Sequence, residues 1–268
     1  MKIRKILIGI ASICLVLVGF YVFGLYPNYE VPILMYHRFG YDQSTLFVTP
    51  ENFDRQMAYL KNKGYDVISL DELVEGIKDR KKFNHNTVAI TIDDGYKDNF
   101  IYAYPVLKKY RFPATIFIVT DLIGKGSIGK EKKFLNWDEV IAMSKDRISF
   151  GGHTKTHFYL GLVIDENIAL EEISGSKKAI EQKIGMPVDY FCYPFGGFNE
   201  RAKELVAKAG YKGACTTNRG FARFNSDVYE LKRIKVTNND ATKPFSFWAK
   251  LSGYYTCLLY TSPSPRDS

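Results

Sequence analysis

Thr87-Val88-Ala89-Ile90-Thr91-Ile92-Asp93-Asp94-Gly95 is an apolar, β-branched run that ends in two adjacent carboxylates. Six residues of this composition read as a buried strand. The carboxylates repel each other unless a cation or hydrogen-bond donors compensate. D-D-G is also good turn chemistry, so the pair alone is a weak signal.

The pattern on either side sets the fold class. Val31 to Tyr36 is a strand-like run ending at His37, and residues 38–48 read as loop. Thr49-Pro50-Glu51 opens a helix with a cap and a proline at its first position. Phe53, Met57 and Leu60 share one face of it, and Gly64 ends it. Tyr65–Ile68 is a short strand, and Ser69-Leu70-Asp71-Glu72 is a capping box for the next helix. Residues 97–110 are helical, with Pro105 marking a restart or kink. Strands follow at 114–119, 148–150, 189–193 and 211–216. Helices are expected from Asn136, over 165–184 and over 200–209. Alternating strands and helices predict a parallel sheet with helices outside. No repeat of fixed period is present.

Some sixty residues after the carboxylates comes His153-Thr154-Lys155-Thr156-His157. The imidazoles are spaced i, i+4, so on a helical turn they share a face and can hold one metal ion. Alone they would read as two surface histidines. Joined to the carboxylate pair they give a three-ligand site, two His and one Asp, with an open position. The other Asp is left free to act as a base. There is no Glu between the histidines, so an H-E-x-x-H protease is excluded. This set of parts suits metal-assisted hydrolysis. A third motif, Tyr193-Pro194-Phe195-Gly196, also follows a strand. All three motifs lie at strand ends, where barrel enzymes carry their chemistry.

These residues carry a family resemblance. The chain resembles the polysaccharide deacetylases, the NodB-homology group of carbohydrate esterases, over roughly residues 31 to 240. The family's T-F-D-D-G has Ile92 in place of Phe here, H-[ST]-x-x-H is intact, and the Pro-aromatic-Gly turn is Pro194-Phe195-Gly196. The resemblance implies a distorted (β/α) barrel with fewer than eight complete units. It implies Asp94, His153 and His157 as metal ligands and Asp93 as catalytic base. It gives the backbone N–H of Phe195 the oxyanion. Tyr193 lines the sugar site or belongs to the core. Zinc is the expected divalent ion, and cobalt or nickel would also suit the ligand set.

Two departures from the family pattern matter. The usual C-terminal Leu-x-His is absent, since Leu231-Lys232-Arg233-Ile234-Lys235-Val236 has no histidine. The arginine that commonly begins the third motif is missing too, and Cys192 stands there. His85 lies in a polar stretch and reads as surface loop. The poly-β-1,6-N-acetylglucosamine deacetylase branch carries a Tyr-His motif near its N-terminus and Tyr-Pro-aromatic-Gly in place of the arginine version. Tyr36-His37 and Tyr193–Gly196 match both features. His37 is therefore expected as the general acid that protonates the leaving amine.

The chain has 268 residues, 46% of them hydrophobic, enough for one domain of ordinary size and an appendage. Residues 6–25 carry no charge, and about 20 apolar residues span a bilayer. Lys2, Arg4 and Lys5 precede them and no basic residue follows before Arg38. The expected order is a cytoplasmic tip at 1–5, a transmembrane signal-anchor at 6–25 and an outward-facing deacetylase domain at 26–256. Secretion after signal cleavage is the alternative. Residues 257–268 have neither helical nor strand period and match a translated sequencing adapter. They are read as a foreign tail, a reading that a genomic match across Thr256–Cys257 would sink.

Net charge is +8, and removing Lys2, Arg4 and Lys5 leaves +5. That suits an anionic envelope and equally an ordinary Lys-rich surface. No nucleic-acid motif is present. Cys192 and Cys215 each sit in an apolar run and are expected as buried free thiols, a pairing between them being the alternative.

The expected activity is hydrolysis of N-acetyl groups from an extracellular polymer of N-acetylglucosamine, with the β-1,6-linked polymer favoured. Peptidoglycan or chitooligosaccharide deacetylation, O-acetyl ester hydrolysis on wall polymers, and glycan binding without catalysis are the alternatives.

Overall fold

The computed structural model describes residues 2–19, 29–125, 133–217 and 225–255. A helix, α1 (Lys2–Gly19), comes first. From residue 29 the chain runs β1 (Ile33–Tyr36), β2 (Arg38–Phe39), β3 (Phe47–Val48), α2 (Pro50–Asn62), β4 (Asp66–Ile68), α3 (Leu70–Lys78) and β5 (Thr87–Ile92). It continues as α4 (Tyr104–Tyr110), β6 (Ala114–Ile118), α5 (Trp137–Ser144), β7 (Ile148–Gly152), α6 (Glu166–Ile184), β8 (Tyr190–Cys192), α7 (Glu200–Lys208) and β9 (Gly213–Thr216). After residue 225 come β10 (Leu231–Lys232), β11 (Ile234–Lys235), α8 (Asn238–Thr242) and α9 (Pro244–Leu251).

Local chemistry sets most of these boundaries. Thr49 accepts a hydrogen bond from Asn52 N and starts α2, with Pro50 just inside. Ser69 caps α3 through Glu72 N. Asn136 and Glu139 form a reciprocal capping box on α5. Asp165 caps α6, and Gly185 ends it in the left-handed conformation at φ 70°. Pro105 marks a restart, as its sequence position suggests. Asn99–Ala103 is a π-helical turn and α4 begins at Tyr104. Proline has no N–H to offer the preceding turn, which widens instead.

The principal sheet is parallel throughout, in the order β10-β9-β8-β7-β6-β5-β1-β11, with β4 pairing β5 beside this path. Its two ends, β10 and β11, flank Arg233 in one short segment. The first half of that segment pairs with β9 and the second half with β1. The strand order therefore returns on itself, and the sheet is a nearly closed barrel with helices outside. The segment 38–48, expected as loop, contains β2 and β3, which pair with each other.

Strand parity divides the core. Leu34, Tyr36, Ile90, Ile92, Ile116, Ile118 and Phe150 pack outward with the helices. Ile33, Ala89, Phe117, Tyr190, Cys192 and Cys215 fill the interior, which Leu73 and Val74 of α3 help to close. Gly151 of β7 is required by this filling, because a Cβ there would lie 2.4 Å from Phe117 Cδ1. Cys192 and Cys215 are adjacent partners across β8 and β9 and are buried free thiols.

The expected transmembrane segment is described only in part. Among the described residues no helix is long and apolar enough to cross a membrane. The basic residues Lys2, Arg4 and Lys5 lie within α1, whose described part runs to Gly19. The rest of the expected span, residues 20–25, and the expected foreign tail lie outside the described residues.

Candidate active site

The same parity positions the functional side chains. Along β1, β5 and β7 the inward positions run Ile33-Met35, Ala89-Thr91 and Ser149-Gly151. The next inward positions past the strand ends are His37, Asp93 and His153. All three line a cleft of about 780 Å³, together with Met35, Asp94, His157, Tyr193, Phe195 and Lys235. Seven of the eight expected site residues line it, the exception being Pro194, which is buried in the turn just before Phe195.

Asp94 Oδ1 lies 3.4 Å from His153 Nε2 and 3.5 Å from His157 Nε2, and the two imidazole nitrogens are 3.2 Å apart. Bonds of ~2.1 Å to a tetrahedral ion require donor atoms about 3.4 Å apart, so the three edges fit one divalent ion. His153 Nδ1 is 2.7 Å from the carbonyl oxygen of Cys192. A donor at Nδ1 leaves the Nε2 lone pair turned toward the other ligands. Burial opposes ionisation of Asp94, but the neighbouring imidazoles of His153 and His157 hold its carboxyl well below the usual carboxylate range.

The turn carrying the histidines is pinned from outside. Glu172 of α6 accepts hydrogen bonds from Lys155 N, Thr156 N and Thr156 Oγ1, each at 2.9 Å. Thr154 (φ 60°) and His157 (φ 69°) are left-handed, as are Asp94 (φ 74°) and Phe195 (φ 57°) across the cleft. Such conformations cost non-glycine residues of order 1–3 kcal/mol each and persist where surroundings hold them.

Asp93 is buried, and Arg233 holds both its oxygens, Nη1 to Oδ1 at 2.6 Å and Nη2 to Oδ2 at 2.7 Å. Arg233 also donates to Thr91 Oγ1 at 3.1 Å, and its Nη2 is 3.0 Å from Cys192 Sγ. Burial would raise the Asp93 carboxyl, but the guanidinium charge and its hydrogen bonds keep it below its ordinary value. Arg233 was not foreseen as a site residue. It is one of three cations, with Lys232 and Lys235, in the stretch where the family pattern expects a histidine, and nothing in the sequence singles it out. It brings a guanidinium to Asp93 from the barrel-closing segment, while Cys192 occupies the place of the missing motif arginine.

His37 Nε2 stands 3.7 Å from Asp93 Oδ2, and its backbone carbonyl accepts from Asn99 Nδ2 at 2.9 Å. Burial lowers the imidazole below its usual value, against the pull of the two aspartates. Phe195 leans on His157, ring centroids 4.5 Å apart, and among the described residues its backbone N–H has no hydrogen-bond acceptor. Its neighbour Gly196 (φ 68°) is obligatory, since a Cβ would lie 2.7 Å from Thr217 N. Tyr193 is fully buried, stacks on Phe198 and gives its hydroxyl to Tyr229 O at 3.0 Å. Its ring belongs to the core between sheet and helices, although the residue also borders the cleft. His85 is exposed and stacks on Tyr29, centroids 4.2 Å apart.

Comparison with known proteins identifies the family and the fold. A family model described as polysaccharide deacetylase matches residues 80–214. The Bacillus subtilis protein named "Putative polysaccharide deacetylase YxkH" is 36% identical over 209 residues, 78% of this chain and 72% of that protein. The poly-β-1,6-N-acetyl-D-glucosamine N-deacetylase of Staphylococcus aureus is 27% identical over 205 residues, 72% of this chain and 68% of that protein. Among solved structures, the Streptococcus pyogenes deacetylase PplD in complex with acetate superposes with a TM-score of 0.74 at 28% identity, covering 82% of this chain and 97% of that one.

Proposed function

The chain belongs to the polysaccharide deacetylase family, enzymes that act on amide bonds, and on that premise we propose that it removes N-acetyl groups from poly-β-1,6-N-acetylglucosamine. The observation that carries the reading is the convergence of Asp93, Asp94, His153, His157 and His37 on one cleft. The N-terminal position of His37 and the S. aureus relative favour the β-1,6 polymer.

Asp94, His153 and His157 would hold a divalent ion, with zinc the proposed occupant. Bound there, the ion would polarise the acetamide carbonyl and make water a better nucleophile. Asp93 takes the proton of the attacking water. Arg233 fixes that carboxylate in place, so that one geometry is presented. His37 delivers a proton to the leaving amine. Its Nε2 lies 3.7 Å from Asp93 Oδ2, so acid and base face the same part of the cleft. The unpaired N–H of Phe195 is the donor for the oxyanion.

The polymer lies outside the membrane, so the reading includes an exported domain. Lys2, Arg4 and Lys5 ahead of the uncharged run 6–25 support that orientation, by an anchor or a cleaved leader.

The test is acetate release by metal-loaded protein from β-1,6-linked N-acetylglucosamine oligomers and, in parallel, from peptidoglycan, with His37→Ala beside the parent. Release from the β-1,6 oligomer that drops by about 100-fold or more in His37→Ala is the expected result. Release from peptidoglycan alone would reassign the substrate. No release from either by folded, metal-bound protein would sink deacetylation of these glycans.

A further inference from the structure

The aromatic surface of the cleft does not end at its rim. Phe195 is 68% exposed and Tyr159 46% exposed, with ring centroids 6.3 Å apart and planes inclined at 58°. Phe195 leans on the proposed ligand His157, so the two rings continue outward from the reacting centre.

The surroundings of Tyr159 are shaped for its ring. A Cβ on Gly197 would lie 2.0 Å from Tyr159 Cε2, and a Cβ on Gly161 would lie 2.2 Å from its hydroxyl oxygen. Two glycines therefore leave room that any side chain would take. The Tyr159 loop is tied at both ends, by Phe158 N to Thr154 Oγ1 at 2.9 Å and by Asn199 Nδ2 to Gly161 O at 3.4 Å.

We propose that Tyr159 and Phe195 form a stacking subsite for a pyranose ring farther along the chain than the units that fill the cleft. All ring substituents of a β-linked N-acetylglucosamine unit are equatorial. Its axial C–H bonds make two apolar faces that pack on aromatic rings. An exposed aromatic pair on tied backbone matches that ligand at low ordering cost. The subsite rests on the deacetylase reading and adds a preference for chain length. Short substrates fill the cleft alone, and longer ones also reach Tyr159.

The experiment uses the metal-loaded full chain, its Tyr159→Ala and Tyr159→Phe variants, and dimers and hexamers of β-1,6- and β-1,4-linked N-acetylglucosamine. Binding is read by calorimetry and acetate release in the same samples. Tyr159→Ala should weaken hexamer binding about five- to tenfold and dimer binding less than about twofold, while Tyr159→Phe stays near the parent. Equal loss for dimer and hexamer, or no loss, overturns the subsite, as does failure of the parent to bind either hexamer. A hexamer that binds with the expected length dependence and releases no acetate upholds the subsite and removes the deacetylase reading. Acetate release whose length dependence survives Tyr159→Ala does the reverse.

Discussion

Arg233 grips both carboxylate oxygens of Asp93 inside the barrel, from the single residue that joins β10 to β11. The strand that completes the sheet thus also presents the guanidinium to the proposed base. Removing it leaves a buried carboxylate unpaired, a change that costs about 3–5 kcal/mol. Arg233→Ala should lower the melting temperature and reduce kcat by at least about 100-fold. Arg233→Lys keeps the charge but not the two-pronged contact, so it should recover stability better than kcat. Parallel melting curves and kinetics check this, and a lysine variant with full activity would show that charge alone suffices.

Cys192 occupies the place where the family's third motif commonly has arginine, and its Sγ is 3.8 Å from Asp93 Oδ2. Cys192→Arg alone should destabilise the barrel, because it buries a second cation beside Arg233 in a packed interior. Combined with Arg233→Ala, the same substitution restores one cation beside Asp93. The double variant should exceed Arg233→Ala in kcat by about tenfold, a non-additivity that a double-mutant cycle reads directly. Strictly additive losses would mean that the two positions are not interchangeable routes to Asp93.

Much of this was legible in the sequence. Thr87–Ile92, 114–119 and 148–150 read as strands because each is a short apolar run, and the first and last carry the carboxylate and imidazole pairs just beyond them. Asn136 announced its helix as a start signal, and 165–184 did so through its long amphipathic stretch. The segment 231–236 was harder, since its two strand halves are two residues each and pair with different neighbours. No periodicity develops over so short a span, and what makes it a strand is the gap between β9 and β1. Arg233 was hidden for the same reason: its partner lies 140 residues away. Tyr193 shows a different limit. Its residue type allowed a sugar contact or a core position, and only the bond to Tyr229 O separates them.

Glu172 reaches the metal-binding turn from α6 without touching a ligand, through three hydrogen bonds to Lys155 and Thr156. Those bonds hold a turn in which Thr154 and His157 are left-handed. Glu172→Ala should release the turn and weaken metal affinity by about 10-fold or more, as loss of a supporting contact does elsewhere. Thr156→Val removes one of the three bonds and should have a smaller effect of the same sign. Metal titration with a competing chelator measures both, and unchanged affinity in Glu172→Ala would show that the turn holds its shape unaided.

Asp240 anchors the C-terminal helices to the barrel. It accepts from Thr237 N at 2.7 Å, Ser246 Oγ at 2.7 Å and Lys250 Nζ at 2.8 Å, and Lys250 also donates to Lys235 O beside the cleft. Burial opposes ionisation of Asp240, but the bonds from Lys250, Ser246 and Thr237 prevail and hold its carboxyl below its ordinary value. A depressed carboxyl stabilises the fold above its unfolded value of about 3.9, and that contribution is lost as pH falls through the folded value. Asp240→Asn should therefore melt lower than the parent at neutral pH, and the gap should narrow progressively below about pH 4. Melting temperatures of both proteins across the acid range decide it. A gap that stays constant down to acid would mean that Asp240 contributes by shape and hydrogen bonding, not by its charge.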